Sequence, residues 1–369
     1  MQNFLQLLRE IQDCGVNHAA DRTGVGRRRI FGNMMRFDMR NDQFPLITTR
    51  QIPFNSVLAE TLWFISGDTN NENLVKEGCT FWTPWAATLD SVRRYTSKLV
   101  ERKVIDILDA KTIMDAVPDE VVGEIGPMYG ANWRYWPRRN EHIRKEAVVR
   151  EIKDMPSDFV QQMTSAYESL DDDFDKTKYS LDDWIKAHYY SHVDQLGELL
   201  YNLKHDPYGS RHLVTAYDPD MNPLPGFTPD ENVIAEKGAL MPCHYAFQVF
   251  VNTPEVEGGK PLISLMFNMR SWDVYLGGPF NIAGYGLILK MLAHCLDYEC
   301  FELSCVSGDT HTYFNQQEQI ATQLSREPRA LPKLRINPEK KDFFALTKED
   351  FSLEGYDPHP AIPSPKPAV

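Results

Sequence analysis

Alternating apolar and polar positions predict strands in the C-terminal half of the chain. In "CHYAFQVFV" the side chains of Tyr245, Phe247, Val249 and Val251 fall on one face. The turn-forming run "NTPEVEGGKP" follows, and "LISLMFNMRSWDV" then alternates again. Two such runs separated by turn residues predict an antiparallel hairpin.

Helical spacing marks other segments. Leu58, Leu62 and Ile65 recur one turn apart within "NSVLAETLWFISG", and Gly67 suits a helix C-terminus. The run "IAGYGLILKMLAHCLDY" predicts a buried helix, and "MQNFLQLLREIQDCG" predicts an amphipathic one. After the amphipathic N-terminal helix, the segment "DRTGVGRRRIFGNMMRFDM" predicts a glycine turn that leads into a strand.

Two stretches differ from this compact pattern. Residues from about 87 to 122 and from about 138 to 191 are charged and helix-like, and we interpret them as helical insertions on a single domain of residues 1–369. The tail "GYDPHPAIPSPKPAV", from about residue 355 to 369, is rich in proline. Proline cannot continue a helix or a central strand, so the tail should lie extended over the surface or act as a lid.

Composition narrows the possible partners. The formal net charge of -13 argues against phosphate-backbone binding, so we expect no nucleic-acid partner. The sequence contains neither a long unbroken apolar run nor a secretory leader, so we expect a cytoplasmic protein with no membrane partner. Its six cysteines include no Cys-x-x-Cys pair, so we expect neither a disulfide framework nor a metal site.

The segment "LMPCHYAFQVFV" places Cys243 at the start of a predicted strand. A thiol there could be a small buried hydrophobe, a metal ligand or a nucleophile, and composition alone favours the first. A nucleophile needs nearby cations that favour the thiolate, and Arg211 and Arg270 are the candidates. His244 points to the opposite face of the strand, so we expect it to pack or form a hydrogen bond rather than to act as a base for Cys243.

Several polar side chains lie in apolar segments, where burying a polar group without a hydrogen-bond partner costs free energy. They are Glu60, Asp273, Asn281, His311 and Tyr313. Taken singly, each is better explained as a helix cap or a core hydrogen-bond partner, although a bound ligand could instead supply the partner. Spacing along the chain does not show whether they converge.

Long ordered strings in the chain resemble the thymidylate synthase family. The clearest are "FPLITTR", "AETLWFISGDTN", "GEIGPMYGANWR", "MPCHYAFQVFV", "RSWDVYLGGPFNIAGY" and "GDTHTYFN". The resemblance implies an α/β (α+β) fold with a large twisted mixed sheet flanked by helices, and a homodimer whose sheets pack back to back. It also implies methylation of dUMP with the reduced folate 5,10-methylenetetrahydrofolate as co-substrate.

The resemblance further implies a role for each matching position. Cys243 would be the nucleophile, with Glu60, Tyr129, Arg270, Asp273 and Asn281 as further catalytic residues. The nucleotide would be bound by Arg22, Arg211, Arg270, Ser271, Asn281, His311 and Tyr313, with Arg211 contributed across the dimer interface. The folate would contact Trp82, Trp85, Leu240, Asp273, Gly277, Phe280 and Val369.

The chain departs from the family pattern at several positions. A small residue is replaced by Trp272, a glutamine by Met269, and one of two paired arginines by His212. Gly278 and Gly284 replace a leucine and a serine, and their loss could admit water to the reaction.

These departures leave two alternatives to the synthase. One is dUMP hydroxymethylase, in which water traps the methylene group, and the other is a non-catalytic relative that acts as a binding protein. The departures are also compatible with a phage-encoded member of the family.

Overall fold

A computed structural model describes residues 1–19, 24–116, 121–137, 151–170, 176, 180–189, 191–363 and 365. The chain divides into two compact units. Unit 1 comprises Met1–Thr61, Leu199–Val214 and Cys243–Val369, and unit 2 comprises Leu62–Glu198 and Thr215–Pro242. That all 369 residues act as one catalytic domain stays a prediction.

Helices and strands follow one another along the described chain, and the longest strands have 12 to 15 residues. The helices are α1 (Gln2–Cys14), α2 (Phe54–Ser66), α3 (Asn71–Lys76), α4 (Leu89–Glu101), α5 (Ile107–Ala116), α6 (Gly130–Arg134), α7 (Ser157–Glu168), α8 (Leu181–Tyr189), α9 (Gln195–His205), α10 (Pro229–Ile234), α11 (Gly278–Leu296) and α12 (Gln317–Leu324). The strands are β1 (Val16–His18), β2 (Arg27–Asp38), β3 (Trp136–Pro137), β4 (His192–Val193), β5 (Leu213–Thr215), β6 (His244–Asn252), β7 (Leu262–Asp273), β8 (Glu299–Tyr313), β9 (Lys333–Ile336) and β10 (Phe351–Glu354).

A six-stranded sheet runs in the order β1-β2-β8-β7-β6-β5. Strands β7 and β8 are parallel, whereas the β1–β2, β2–β8 and β6–β7 pairs are antiparallel. Helix α11 contacts β7 and β8, and α1 contacts β2. The predicted α/β class with a mixed sheet flanked by helices is therefore confirmed, while back-to-back packing of two sheets stays a prediction.

The predicted hairpin is also confirmed, with one correction. In the β6–β7 pair, Phe247 lies opposite Phe267, and both side chains are fully buried. An irregularity in register between His244 and Ala246 turns Tyr245 outward, where it is 37% exposed. The prediction that Tyr245 shares the buried face was wrong, because a bulge adds a residue and reverses the alternation on one side of it.

The core of unit 1 lies between the sheet and α11. This helix is apolar nearly all round, and Leu287, Leu289 and Leu292 are fully buried in it. A helix with no polar face is stable only when it is enclosed, so α11 fixes the inner side of the sheet. The predicted helix over residues 55–66 is confirmed by α2, and Gly67 follows it with a φ of 80°, where a side chain would be strained.

Residues 355–363 form neither helix nor strand and are held by specific hydrogen bonds. The hydroxyl of Tyr356 accepts from the Ile52 amide at 2.9 Å and donates to the Ile47 carbonyl at 3.0 Å. Arg326 donates to the carbonyl of Pro360 at 2.7 Å. Residues 356–360 are therefore anchored in a form without helix or strand, as the prolines predict, and an extended course over the surface stays a prediction. A lid function stays a prediction, and Val369 lies outside the described residues.

Unit 2 is organised around a buried charge. Arg134 is fully buried and donates to Asp194 at 3.0 Å and to Asp158 at 2.6 Å. Burial raises the pKa of the Asp194 carboxyl to about 6, even though the Arg134 charge opposes this rise. Removing one member of such a network leaves an uncompensated charge, so these groups hold the local fold together.

The regions predicted as insertions contain helices. Helices α4 and α5 fall in the first region, and α7 and α8 fall in the second. Met155, Phe159, Ile185 and Tyr189 form a small core of their own around the second pair. In the described part of the chain, we find no helix with the length and apolar character needed to cross a bilayer.

Candidate active site

The thiol of Cys243 lies beside a guanidinium group in unit 1. Cys243 directly precedes β6, and its side chain is half-buried. Strand pairing holds Arg270 next to it, because the Arg270 amide donates to the Cys243 carbonyl at 2.9 Å. The Nη2 atom of Arg270 lies 4.0 Å from the Cys243 Sγ atom. A cation at this distance favours the thiolate, which is the nucleophilic form of cysteine.

His244 faces away from that thiol, as predicted. Its Nδ1 atom lies 2.9 Å from the hydroxyl of Tyr285, and the two rings meet edge to face. Burial lowers the pKa of His244 to about 3. A neutral, hydrogen-bonded imidazole is a structural group, and it fixes the start of β6 against α11.

Trp272 orients the side chain of Asn281. The indole of Trp272 is almost fully buried, and its Nε1 donates to the Oδ1 atom of Asn281 at 3.0 Å. An indole N–H can only donate, so the carboxamide must turn its oxygen toward Trp272. The Nδ2 atom of Asn281 therefore points the other way.

The two glycines that depart from the family pattern, Gly278 and Gly284, lie in different surroundings. A Cβ atom at Gly278 would lie 3.2 Å from the ring of Phe4 and 3.5 Å from Cζ2 of Trp272. A Cβ atom at Gly284 would lie 3.3 Å from the hydroxyl of Thr61 on α2. The space left at Gly278 is thus taken up by two aromatic rings.

Asp273 ends β7 and braces the turn into α11. Its carboxylate accepts from the Leu276 amide at 2.9 Å and from Gln316 Nε2 at 2.8 Å. Desolvation raises the pKa of Asp273, and the two hydrogen bonds together with His311 and Arg50 oppose that rise. A carboxylate offers about four acceptor positions, so these two bonds leave capacity for a ligand.

His311 and Tyr313 lie on the same face of β8, as predicted from their alternation. Their ring centroids are 5.2 Å apart and the rings are perpendicular. The Nδ1 atom of His311 lies 3.3 Å from the carbonyl oxygen of Asp309. Desolvation raises the pKa of Asp309, but His311 and the nearby Arg27 outweigh it, so the net pKa is lowered. The carboxylate stays charged and forms an ion pair with Arg27 on the neighbouring strand β2.

The two residues at the predicted phosphate motif behave differently. Arg211 is exposed, whereas the neighbouring His212 is buried, with its Nε2 atom 3.2 Å from the carbonyl oxygen of Pro207. His212 is thus turned into the core and does not replace a surface cation. Ser271 lies on β7 next to Arg270, and Glu60 is half-buried on α2.

Unit 2 contributes a separate aromatic cluster. The ring of Tyr129 lies 4.9 Å from that of Phe64 and 5.7 Å from that of Trp82. Trp82 in turn meets Trp85 edge to face at 5.4 Å. The Leu240 amide lies 3.4 Å from the sulfur of Met128 in the same unit. Phe64, Trp82 and Tyr129 are buried in this cluster, and aromatic rings of this kind are able to pack against a planar ring system.

Tyr129 adopts a strained backbone conformation. Its φ is 37° and its ψ is -96°, outside the regions that residues with side chains prefer. The following residue must be glycine, because a Cβ atom at Gly130 would lie 2.3 Å from the Phe64 carbonyl oxygen. Strain of this kind persists only where the surrounding structure imposes it, and it is frequent at functional sites.

A family model described as thymidylate synthase matches residues 2–367. The chain belongs to the thymidylate synthase family. This match covers almost the whole chain and confirms the resemblance seen in the ordered sequence strings. The family comprises one-carbon transferases that act on dUMP with methylenetetrahydrofolate.

Several residues expected from this family are brought together in unit 1. Cys243 meets Arg270, and Asp273 lies near His311. Arg22 and Val369 lie outside the described residues. Gly277 and Phe280 begin α11, at the end of the helix that carries Asn281.

Sequence reasoning missed two residues that position these groups. The role of Trp272 became visible only through its hydrogen bond, although its departure from the family pattern was a signal. Gln316, which braces Asp273, carried no signal in its spacing. Among the described residues, no three His, Cys, Asp or Glu side chains group as a metal site.

Proposed function

We propose that the protein is a thymidylate synthase that converts dUMP to dTMP with 5,10-methylenetetrahydrofolate. The observation that carries this proposal is the Cys243 thiol held 4.0 Å from the Arg270 guanidinium. Membership of the family supplies the reaction class to which such a thiol belongs.

Cys243 acts in the first step, as the nucleophile. Its thiolate adds to C6 of the uracil ring, and the electron pair of the C5–C6 double bond moves toward O4. Asn281 is the proposed partner of the base edge, and its Nδ2 can donate to O4, where negative charge develops. A donor held in place before the reaction stabilises that charge without reorganisation. Carbon C5 then becomes nucleophilic, and Cys243 leaves again when the C5–C6 double bond re-forms.

Proton transfer needs further groups. We assign it to Glu60 on α2, as an organiser of water and protons, and to Tyr129 in unit 2, as the hydroxyl that serves the C5 proton. The half-buried position of Glu60 and the strained backbone of Tyr129 support these assignments. A positioned acid or base of this kind typically contributes about 100- to 10,000-fold to a rate.

The nucleotide would be held by its phosphate and sugar. We assign the phosphate to Arg270 and Ser271 on β7, to Arg211, and to Arg22, which lies outside the described residues. The sugar hydroxyl is assigned to His311 and Tyr313, whose shared face on β8 supports a joint role. Because His212 is buried, the Arg211-His212 motif would contribute one arginine to the phosphate site where the family pattern has a pair.

The residues present also fit a reduced folate. We assign the flat ring system to Trp82, Trp85 and Leu240, and the polar edge to Asp273, which keeps free acceptor capacity. Gly277, Phe280 and the terminal Val369 complete the assignment. When bound, the folate supplies a one-carbon unit and, in a synthase, a hydride. The protein must meanwhile exclude water, and the anchored tail supports such a role.

The outcome of the reaction separates the synthase from a dUMP hydroxymethylase. The hydroxymethylase needs water next to the methylene group, and the loss of a leucine at Gly278 suggested a route for it. A Cβ atom at Gly278 would contact the rings of Phe4 and Trp272, so these rings border the space that a leucine would enter, which supports the synthase.

Product analysis tests this choice. The protein is incubated with dUMP and methylenetetrahydrofolate, and both products are identified by mass spectrometry. We expect dTMP together with dihydrofolate. Formation of 5-hydroxymethyl-dUMP with tetrahydrofolate would overturn the synthase in favour of the hydroxymethylase. A Cys243→Ala variant that keeps full biological activity would instead indicate a non-catalytic binding protein.

We further propose that the protein is a cytoplasmic homodimer. The outer face of the sheet in unit 1 exposes large apolar side chains, among them Met34 at 47% and Phe250 at 59%. Large exposed apolar surface is typical of an interaction site. Arg211 is exposed as well, as a residue donated to a partner must be.

Subunit mixing tests the assignment of Arg211. Cys243→Ala and Arg211→Ala each remove activity alone. If Arg211 acts across the interface, a hybrid dimer holds one site with both changes and one intact site, so activity returns on mixing. A mixture that stays inactive, although light scattering detects dimers that exchange subunits, would show that Arg211 serves its own subunit.

A further inference from the structure

Two departures from the family pattern, Trp272 and Gly278, lie next to each other in unit 1. The indole of Trp272 is almost fully buried, and its Cζ2 and Cε2 atoms lie 3.5 and 3.6 Å from the position that a Cβ atom at Gly278 would take. The ring of Phe4 lies 3.2 Å from the same position. A Cβ atom at Gly278 would therefore be in ordinary van der Waals contact with the indole and in tight contact with Phe4.

The indole forms a directional bond as well as filling space. Its Nε1 atom donates to Asn281 Oδ1 at 3.0 Å. In the flipped carboxamide, the Nδ2 atom of Asn281 would face the indole N–H, and two donors would meet. A buried donor left without an acceptor is costly, so the unflipped orientation is fixed.

We propose that Trp272 is a positioning residue that sets the preference of Asn281 for uracil over cytosine. This inference rests on the proposed function of Asn281 as the reader of the base edge. Uracil presents an acceptor at O4 and a donor at N3, which the fixed Nδ2 and the second lone pair of Oδ1 complement. Cytosine presents a donor at N4 and an acceptor at N3, and it requires the flipped amide.

The test compares Trp272→Phe with the unchanged protein in calorimetric binding of dUMP and dCMP, without folate. Phenylalanine keeps an aromatic ring in the space but removes the N–H donor. We expect the ratio of dUMP to dCMP affinity to fall by about 5- to 150-fold, mainly through tighter binding of dCMP. The matched control is Phe4→Leu, which disturbs the same packing and keeps the N–H, and its ratio should stay that of the unchanged protein.

An unchanged ratio in Trp272→Phe, with a native circular dichroism spectrum, would overturn the proposal. A parallel fall in the Phe4→Leu control would also overturn it, because packing alone would then set the ratio. If the unchanged protein binds no dUMP at all, the proposed function itself fails. A second measurement does not require Trp272→Phe to fold. In Asn281→Ala an indole N–H resonance should shift, and unshifted indole resonances would show that the hydrogen bond is absent.

Discussion

The charge of Arg270 should control the reactivity of Cys243. The change Arg270→Gln keeps a polar, although shorter, side chain and removes the positive charge. The Nη2 and Sγ atoms are 4.0 Å apart. Two unit charges at about 4 Å interact by about 1 kcal/mol in bulk water and by about 4 kcal/mol at an effective dielectric constant of about 20. Because Cys243 is half-buried, the loss should fall between these limits.

The measurement is alkylation by iodoacetamide at neutral pH without nucleotide. The rate is followed on the peptide that contains Cys243 by mass spectrometry, so the other cysteines do not interfere. We expect Arg270→Gln to slow alkylation by about 5- to 1,000-fold, since each 1.36 kcal/mol changes a rate about tenfold. Omitting dUMP separates this effect from the proposed phosphate contact of the same arginine.

A matched control is Arg335→Gln on β9. Arg335 is exposed and its ion-pair partners are Asp42 and Glu354, so its removal should leave the alkylation of Cys243 unchanged. If Arg270→Gln reacted as fast as the unchanged protein while keeping its fold, the short distance would have no electrostatic consequence. The argument that this pair makes a nucleophile would then be refuted.

Three other changes test the packing and charges of the fold. Gly278→Leu should lower the free energy of unfolding by about 1–3 kcal/mol in urea denaturation, because its Cβ would press on Phe4, and unchanged stability would contradict this. Burial lowers the pKa of His244 to about 3, against about 6.5 in the unfolded chain. Its contribution to the free energy of unfolding should be fully present above pH 6.5 and should be lost as the pH falls toward 3, because the unfolded chain binds the proton first. His244→Gln should flatten that slope, and an equal slope would point to other groups. Arg134→Met should cost about 3–5 kcal/mol by leaving buried carboxylates unpaired, and a loss below about 1 kcal/mol would argue against the network.

Local patterns were sufficient for most elements of the sheet and core. The period of two in "CHYAFQVFV" and the helical period in "NSVLAETLWFISG" are local properties, and both elements form where they were predicted. The exception, Tyr245, depends on a bulge in pairing with another strand. A bulge arises from the fit between two strands, so the sequence of one strand does not encode it.

The sequence by itself determined the family, because long ordered strings carry that information, and it singled out Cys243 as the candidate nucleophile. Only the tertiary structure decided which cation meets the thiol, since strand pairing joins Cys243 to Arg270 across 27 positions. It also showed that two departures from the family pattern, Trp272 and Gly278, lie next to each other. That proximity appears only in the three-dimensional packing of the side chains.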